Sequence, residues 1–259
     1  MDNTPAPGGR VPRRRVLVTG ASGGIGSAVA HAFAELGDRV AVHCNSAREK
    51  ANAVRAELRG DGHVVVEGDI ATGSTTVVQA TVDALGGIDV LVNNAAVVTP
   101  AHPVSTDFAD WQQAWRTTFE VNVLGTAAIT HQVAARMVEQ GIGGRIVNVG
   151  SRGAFRGEPE HPAYGASKAA LHSMGQSLAV SLAKHRIAVS TVAPGFVRTD
   201  RVEDRLAGDG GRAIAQQSPF ERVALPSEVA AAVVYLASRE ALWASGTILD
   251  LNGASYLRT

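Results

Sequence analysis

Tyr164 and Lys168 stand four residues apart in Tyr164-Gly165-Ala166-Ser167-Lys168, a spacing that places two side chains on one helix face. A free phenol has a pKa of about 10 and is a poor proton donor or acceptor at neutral pH. An ammonium group beside it favours the phenolate and lowers that pKa. The pair could therefore do acid–base chemistry on an oxygen atom. Ser151 lies 13 residues before Tyr164, and a hydroxyl there could orient a carbonyl oxygen. On its own, Tyr-x-x-x-Lys is common and reads first as an exposed amphipathic pair.

A second constellation lies near the start. The apolar run Val16-Leu17-Val18 leads into Thr19-Gly20-Ala21-Ser22-Gly23-Gly24-Ile25-Gly26, and a helix-like segment follows at once. Glycines in such a strand-to-helix turn allow a tight bend and let backbone amides approach a pyrophosphate at the helix N-terminus. The other reading is a tight connection with no ligand. The spacing is Gly20-x-x-x-Gly24-x-Gly26 rather than G-x-G-x-x-G, and no Gly-Lys-Ser/Thr follows, which excludes a nucleotide-hydrolysing P-loop. In dinucleotide-binding units an acid roughly 20 residues further on takes the ribose hydroxyls. No acid occurs from Arg39 to Ala47. Ser46 and Arg48 stand there instead, and they could hold a 2′-phosphate that no carboxylate repels. This favours NADP(H) over NAD(H). Arg48 also reads as a solvated first-turn helix residue.

Those groups need a scaffold, and the chain alternates short β-branched runs with longer helix-like stretches. Strands are expected at Arg15–Thr19, Arg39–His43, Val64–Glu67, Ile88–Asn93, Arg145–Val149, Ala188–Val192 and Thr247–Leu251. Helices are expected at Ile25–Leu36, Arg48–Leu58, Ser74–Leu85, Asp110–Glu139, Ala163–His185 and Ser227–Ser238. The strands are continuous apolar runs, as for strands buried on both faces of a parallel sheet. The fold class is α/β: a single doubly wound, Rossmann-type domain over residues 15–259, with a mostly parallel seven-stranded sheet and helices on both faces. Residues 1–14 read as a frayed N-terminal tail. The irregular stretch Pro194 to Pro226 follows the sixth strand, on the side where such sheets bind ligands; it reads as a substrate lid or a long surface loop.

Composition limits the partners. Lys plus Arg is 24 and Asp plus Glu is 24, so the basic excess of a nucleic-acid binder is missing. The single Cys44 precludes a disulfide framework and suits a reducing cytosol. Val229 to Ala237 is too short an apolar run to cross a bilayer, and no signal-like segment follows the polar start. A cytoplasmic protein without membrane or nucleic-acid partners is expected. The eight His are scattered and no H-E-x-x-H occurs, so no catalytic metal is expected.

Taken together, the motifs resemble the short-chain dehydrogenase/reductase family in its compact single-domain form. The resemblance rests on Thr19-Gly20-x-x-x-Gly24-x-Gly26, Asp69-Ile70, Asn93-Asn94-Ala95, Asn122, Ser151, Tyr164-x-x-x-Lys168 and Pro194-Gly195 with Thr199. It implies that Gly20, Ser22, Gly24, Ile25 and Gly26 wrap the cofactor phosphates and that Asp69 and Ile70 meet the adenine. Asn93 and Ala95 would line the ribose region and brace the sheet. Tyr164 would be the general acid, with Lys168 lowering its pKa and binding nicotinamide ribose hydroxyls. Ser151 would hold the substrate carbonyl. Asn122 would hold a water linking Lys168 to solvent. Pro194, Gly195 and Thr199 would cover the nicotinamide. The implied activity is ketone reduction to a secondary alcohol; an NAD-dependent alcohol dehydrogenase and a non-catalytic dinucleotide sensor are the alternatives.

The layout is similar to 3-oxoacyl-(acyl-carrier-protein) reductases and polyketide ketoreductases, which leaves the substrate small or carrier-tethered. Arg152, Arg156, Arg198, Arg201 and Arg205 could meet an acidic carrier or be ordinary loop charge. Gly150 departs from the family pattern, in which many members have Ser; Ala96 and Gly23 depart from it too. His161 reads as a loop residue or one facing substrate, and Trp111 and Trp115 as core. Small residues after Tyr164, with the family's assembly habits, imply a homotetramer or homodimer.

Overall fold

The computed structural model describes residues 13–101, 103–203, 206 and 208–258. Seven strands form one sheet: β1 (Arg15–Val18), β2 (Arg39–Cys44), β3 (Val64–Glu67), β4 (Val90–Asn93), β5 (Gly144–Val149), β6 (Ile187–Pro194) and β7 (Ile248–Leu251). Their order is β3-β2-β1-β4-β5-β6-β7. Every neighbouring pair is parallel, so the sheet is wholly rather than mostly parallel.

The helices are α1 (Gly24–Glu35), α2 (Arg48–Glu57), α3 (Ser74–Leu85), α4 (Phe108–Phe119), α5 (Thr126–Gln140), α6 (Pro162–Leu182), α7 (Gly208–Ala215) and α8 (Pro226–Leu236). The strand period of two sends alternate residues to opposite layers. Val16 and Val18 of β1 pack with Val29 and Phe33 of α1 and with Val229 and Val233 of α8. Leu17 between them packs on the other face with Leu85 of α3 and Ile129, Val133 and Met137 of α5. All three strand residues are fully buried, which explains why the run carries no polar position.

After β3 the chain crosses to the far side of β1 and continues outward from β4. The C-terminal ends of β1 and β4 therefore flank the switch point where such sheets open a crevice. Thr19 clamps that point. Its amide and its hydroxyl both donate to Val92 O, at 3.0 and 3.2 Å, and the hydroxyl oxygen accepts from the amides of Asn94 and Ala95.

Three expectations change. The helix expected at Asp110–Glu139 is a continuous helical run, but Glu120–Gly125 between α4 and α5 is a π-helical turn. The stretch from Pro194 to Pro226 is not irregular throughout: it contains a 3-10 turn at Asp200–Val202, the helix α7, and a bridge between Val197 and Ala224. Three of the eight residues of α7 are glycine, so its intrinsic propensity conceals it. The last two residues of the expected tail are held by side-chain bonds. Residues 1–12 lie outside the described residues, but Arg14 is fastened to the domain. Its amide and Nε donate to Asp38 Oδ1 at 3.1 Å, its Nη2 to Oδ2 at 2.6 Å, and its Nη1 to Ala237 O at 2.9 Å. Arg13 pairs with Asp61, and Arg15 with Asp89. Trp111 and Trp115 are half-buried members of an aromatic stack, Phe108–Trp111–Trp115–Phe119, along α4.

Asp38 is 4% exposed and accepts several charge-assisted bonds at once. Asp38→Ala is expected to lower the unfolding free energy by about 2 kcal/mol. Urea denaturation should show a lower midpoint with an unchanged m-value; an unchanged midpoint would show that the Arg14 contacts contribute nothing net.

Candidate active site

The glycine turn joins β1 to α1. A Cβ added to Gly26 would collide with Gly20 O and Asn94 Nδ2. Asn94 is there because its amide nitrogen donates to Thr19 O and Gly20 O, both at 2.9 Å. The Gly20 amide donates to His43 Nδ1 at 3.1 Å. That nitrogen must accept, so the ring proton sits on Nε2, which donates to Gly68 O at 2.9 Å. Burial lowers the His43 pKa, opposed by the Gly68 bond and the charge of Asp69, and the ring is kept neutral. One imidazole thus ties the turn to the end of β3.

The turn opens into a cavity of about 770 Å³ that also meets the end of β2 and the loop after β6. Gly20, Ser22, Gly24, Ile25, Ser46, Asp69, Ile70, Ala95, Pro194, Gly195 and Thr199 line it, with Ser151, Tyr164 and Lys168 at the far end. Four residues expected at the site, Gly26, Arg48, Asn93 and Asn122, do not line its wall. Gly26 sits behind the turn. Arg48 is the first residue of α2, and its Nη1 pairs with Glu67 Oε2 at 2.9 Å because β2 and β3 are in register at Cys44 and Glu67. Lys50, which the sequence reading passed over, lines the cavity beside Ser46. Asn93 is buried in the sheet, donating to Thr130 Oγ1 at 2.8 Å and Asn148 Oδ1 at 2.9 Å; its neighbour Asn94 lines the cavity instead. Asp69 accepts from the Ala71 amide at 2.9 Å, which orients its carboxylate.

Asn122 lies in the π turn. Its Oδ1 accepts from the Val97 amide at 2.8 Å, and its Nδ2 donates to Val97 O at 2.9 Å and Ser167 Oγ at 3.1 Å. Ser167 in turn donates to Tyr164 O at 2.8 Å. Both carboxamide hydrogens are engaged in bracing the wall and α6. Any water that Asn122 holds must therefore donate to it, at the second lone pair of Oδ1 or at the backbone carbonyl.

At the acid–base end, Lys168 is 3% exposed and its Nζ donates to Val149 O, the last carbonyl of β5, at 2.8 Å. The same nitrogen lies 5.6 Å from the centre of the Tyr164 ring. Ser151 caps a 3-10 turn over Arg152–Ala154, its Oγ accepting from the Gly153 amide at 2.9 Å; the hydroxyl hydrogen is still there to donate. His161 also lines the cavity, beside Tyr164. Of the five arginines considered for a carrier, Arg152 is buried, Arg156 half-buried and Arg198 exposed; Arg205 and the side chain of Arg201 lie outside the described residues.

His172, one helical turn beyond Lys168, escaped the sequence reading because its role depends on a distant glycine. A Cβ on Gly150 would strike His172 Nε2. The histidine occupies that space and takes a long 3.4 Å bond from the Ser151 amide. Among the described residues no group of His, Cys, Asp and Glu gathers in a way that could hold a metal ion, and no helix is long and apolar enough to cross a membrane.

The His172 pKa falls from 6.5 to about 4, first through burial and then through the charges of Lys168 and Arg258, with Asp250 opposing. Between pH 6.5 and 4 the unfolded chain binds a proton that the folded chain refuses, so stability drops as pH falls. The loss amounts to about 3 kcal/mol across that window. His172→Leu, compared with the parent by urea denaturation at pH 7 and pH 4.5, should reduce the difference between the two pH values. An identical pH dependence in both proteins would exclude a buried neutral imidazole.

The sequence matches the family model described as short chain dehydrogenase over residues 14–209. It is 37% identical to a D-threitol dehydrogenase of Mycolicibacterium smegmatis, covering 96% of this chain and 95% of that one. It is 33% identical to an acetoacetyl-CoA reductase of an Acinetobacter species, with coverages of 93% and 97%. The crystal structure of acetoin dehydrogenase from Enterobacter cloacae superposes with a TM-score of 0.81 at 31% identity, covering 93% of this chain and 96% of that one. The glycine turn at the switch point, the buried Lys168 beside Tyr164 and these likenesses lead to one conclusion: the chain belongs to the short chain dehydrogenase family.

Proposed function

We propose that this protein is an NADPH-dependent ketoreductase, reducing a ketone to a secondary alcohol with Tyr164 as the general acid. One observation carries the reading: the buried Lys168 ammonium is fixed within 5.6 Å of the Tyr164 ring centre, in a cavity that runs unbroken to the glycine turn.

The residues present suit a dinucleotide. Gly26 leaves the turn too crowded for a side chain behind it, so backbone rather than side chain faces the cavity, at the N-terminus of α1, where phosphates are favoured. Asp69 and Ile70 stand at one end to receive an adenine, and Thr199 and Pro194 at the other. A bound nicotinamide dinucleotide would supply the hydride. Lys168, fixed by Val149 O, would favour the phenolate of Tyr164 and so make its proton easier to give. Ser151 would donate to the carbonyl oxygen, stabilising the negative charge that builds there as the carbon is attacked. Tyr164 would then deliver its proton to that oxygen. The segment from Pro194 to Pro226, with α7 on it, would serve as the lid over the reacting groups.

Ser46 and Lys50 support the NADP(H) preference. Arg48 supports it indirectly, by neutralising Glu67 at the end of β3. A second reading uses the same site in the opposite direction, as an alcohol dehydrogenase. The names of two proteins it is similar to, a D-threitol dehydrogenase and an acetoin dehydrogenase, favour that direction. The acetoacetyl-CoA reductase favours reduction and an acyl thioester. Exposed apolar groups at Leu124, Val180 and Trp243 support a homotetramer or homodimer, which light scattering would measure.

Tyr164→Phe is expected to lower kcat by ~100- to 10,000-fold with little change in NADPH affinity, measured by nicotinamide absorbance and by titration of the cofactor. Near-normal turnover in that variant would overturn the assignment. Lys50→Glu should shift the kcat/KM ratio of NADPH to NADH toward NADH by roughly tenfold, the size of one lost charged contact. A wild-type preference for NADH would overturn the NADP(H) reading without touching the catalytic one.

A further inference from the structure

Among the described residues, neither Arg152 nor Arg156 forms an ion pair with a carboxylate. Arg152 follows Ser151 directly, and the 3-10 turn that Ser151 caps carries it inward, where it is 5% exposed. Its Nη1 donates to Gln217 Oε1 at 3.0 Å and to Ser255 Oγ at 2.7 Å, and its guanidinium lies 5.3 Å from the centre of the Phe196 ring. Arg156 Nη1 reaches the same Gln217 Oε1 at 3.1 Å and Ser255 O at 3.3 Å. These hydrogen-bond partners are neutral. By contrast, Arg14 and Arg15 at the head of β1 each close on an aspartate at 2.6 Å.

Burial holds the Arg152 pKa below the ordinary guanidinium range, and the charge of Arg156 pushes the same way. Glu158 opposes both, more weakly. Glu158 makes no ion pair with either arginine among the described residues. Glu228, on the wall of the second cavity that Arg152 also lines, is committed to Arg222 at 2.6 Å. A buried cation without a countercharge is costly, and two converging guanidinium groups deepen the cost. An anion would relieve it, and guanidinium geometry suits a bidentate oxyanion better than an amide oxygen.

Position supplies the second half of the argument. Arg152 and Phe196 line the main cavity with Tyr164, and they also line a second cavity of about 260 Å³ whose wall includes Gln217, Asn252 and Ser255. The guanidinium thus stands between the reacting end and an adjoining smaller chamber of mixed polar and apolar walls. A neutral polyol or acyloin gives no reason to bury an unpaired cation there. We infer that Arg152, with Arg156 behind it, receives an anionic group on the substrate, so that the substrate class is a keto acid or an oxo compound bearing a phosphate. The substrate carbonyl would lie at Ser151 and Tyr164, with the oxyanion displacing Gln217 and Ser255 from the guanidinium. This inference rests on the ketoreductase reading of the same site.

The test uses the full-length enzyme with NADPH and two matched pairs of probes: 4-oxopentanoate and 5-oxohexanoate, each against its methyl ester. The free acid is expected to exceed its ester by tenfold or more in kcat/KM for at least one pair, through KM. Arg152→Gln and, separately, Arg156→Gln should bring that ratio at least fivefold closer to one, and Arg152→Lys should restore part of it. Arg156 is closer to the surface, so its variant decides the matter if Arg152→Gln fails to fold. Equal use of acid and ester by the wild type, or a ratio that survives both variants, would overturn the inference. If none of the four probes is reduced, the ketoreductase reading fails, and thermal melting in the presence of NADP+ decides the anion site. A higher Tm with 4-oxopentanoate but not its ester, lost in Arg156→Gln, supports the site; no shift overturns it.

Discussion

A buried ammonium group is one of the more expensive things a protein can hold, because desolvation drives it toward the neutral amine. Lys168 accepts that situation through the Val149 carbonyl, and much of the catalytic end follows from this single contact. The carbonyl is the last in β5, so the contact locks α6 onto the end of the strand. Locking α6 places Tyr164 one turn from the charge. The loop leaving β5 must then bring Ser151 to the same cavity. A lysine on a flexible surface turn would hold no such fixed place beside the phenol, and solvent would screen its charge.

Buried amides and hydroxyls set the rest of the frame. Thr19 and Asn94 hold the glycine turn from beneath. Asn93, Thr130 and Asn148 brace the middle of the sheet. Asn122 and Ser167 connect the wall at Val97 to α6. Each group satisfies backbone or side-chain partners that would otherwise be left unpaired out of water. These residues shape the cavity mostly without touching its contents. Asn93 and Asn122, expected at the site, are of this kind: both lie behind the wall, where Asn122 hydrogen-bonds to Val97 of the wall and Asn93 to Thr130 and Asn148.

What could be read from the chain follows the same division. Strands buried on both faces had to be apolar throughout, so Val16-Leu17-Val18 and Val90-Leu91-Val92 declared themselves. Tyr164 and Lys168 were legible only in company: the spacing puts them on one helix face, and the glycine turn, Asn122 and Ser151 set that pair apart from an exposed amphipathic one. The π turn at Glu120–Gly125 was not, because one extra residue per turn leaves no mark on composition. α7 was hidden by its glycines. The choice between Arg48 and Lys50 was hidden as well. It depends on which way the first turn of α2 faces relative to Glu67, a fact of strand register rather than of local sequence. His172 was illegible in principle: its place exists because Gly150, 22 residues earlier, has no side chain.

The two ends of the cavity are built from different materials, and that difference has a consequence. At the glycine turn the crowding behind Gly26 leaves backbone facing the cavity, and backbone amides are the same in any sequence that can make the bend. At the other end the walls are side chains: Arg152, His161 and Phe196 on the near side, with Ile214 of α7 and Gln217 just after that helix beyond. Substitutions there alter charge and shape without disturbing the sheet, Lys168 or the turn. A fold of this kind can therefore keep one hydride-transfer apparatus while its substrate end is rebuilt. The buried Arg152, without an ion pair among the described residues, stands at that end, and nothing in the Tyr164–Lys168 geometry requires a guanidinium in that position.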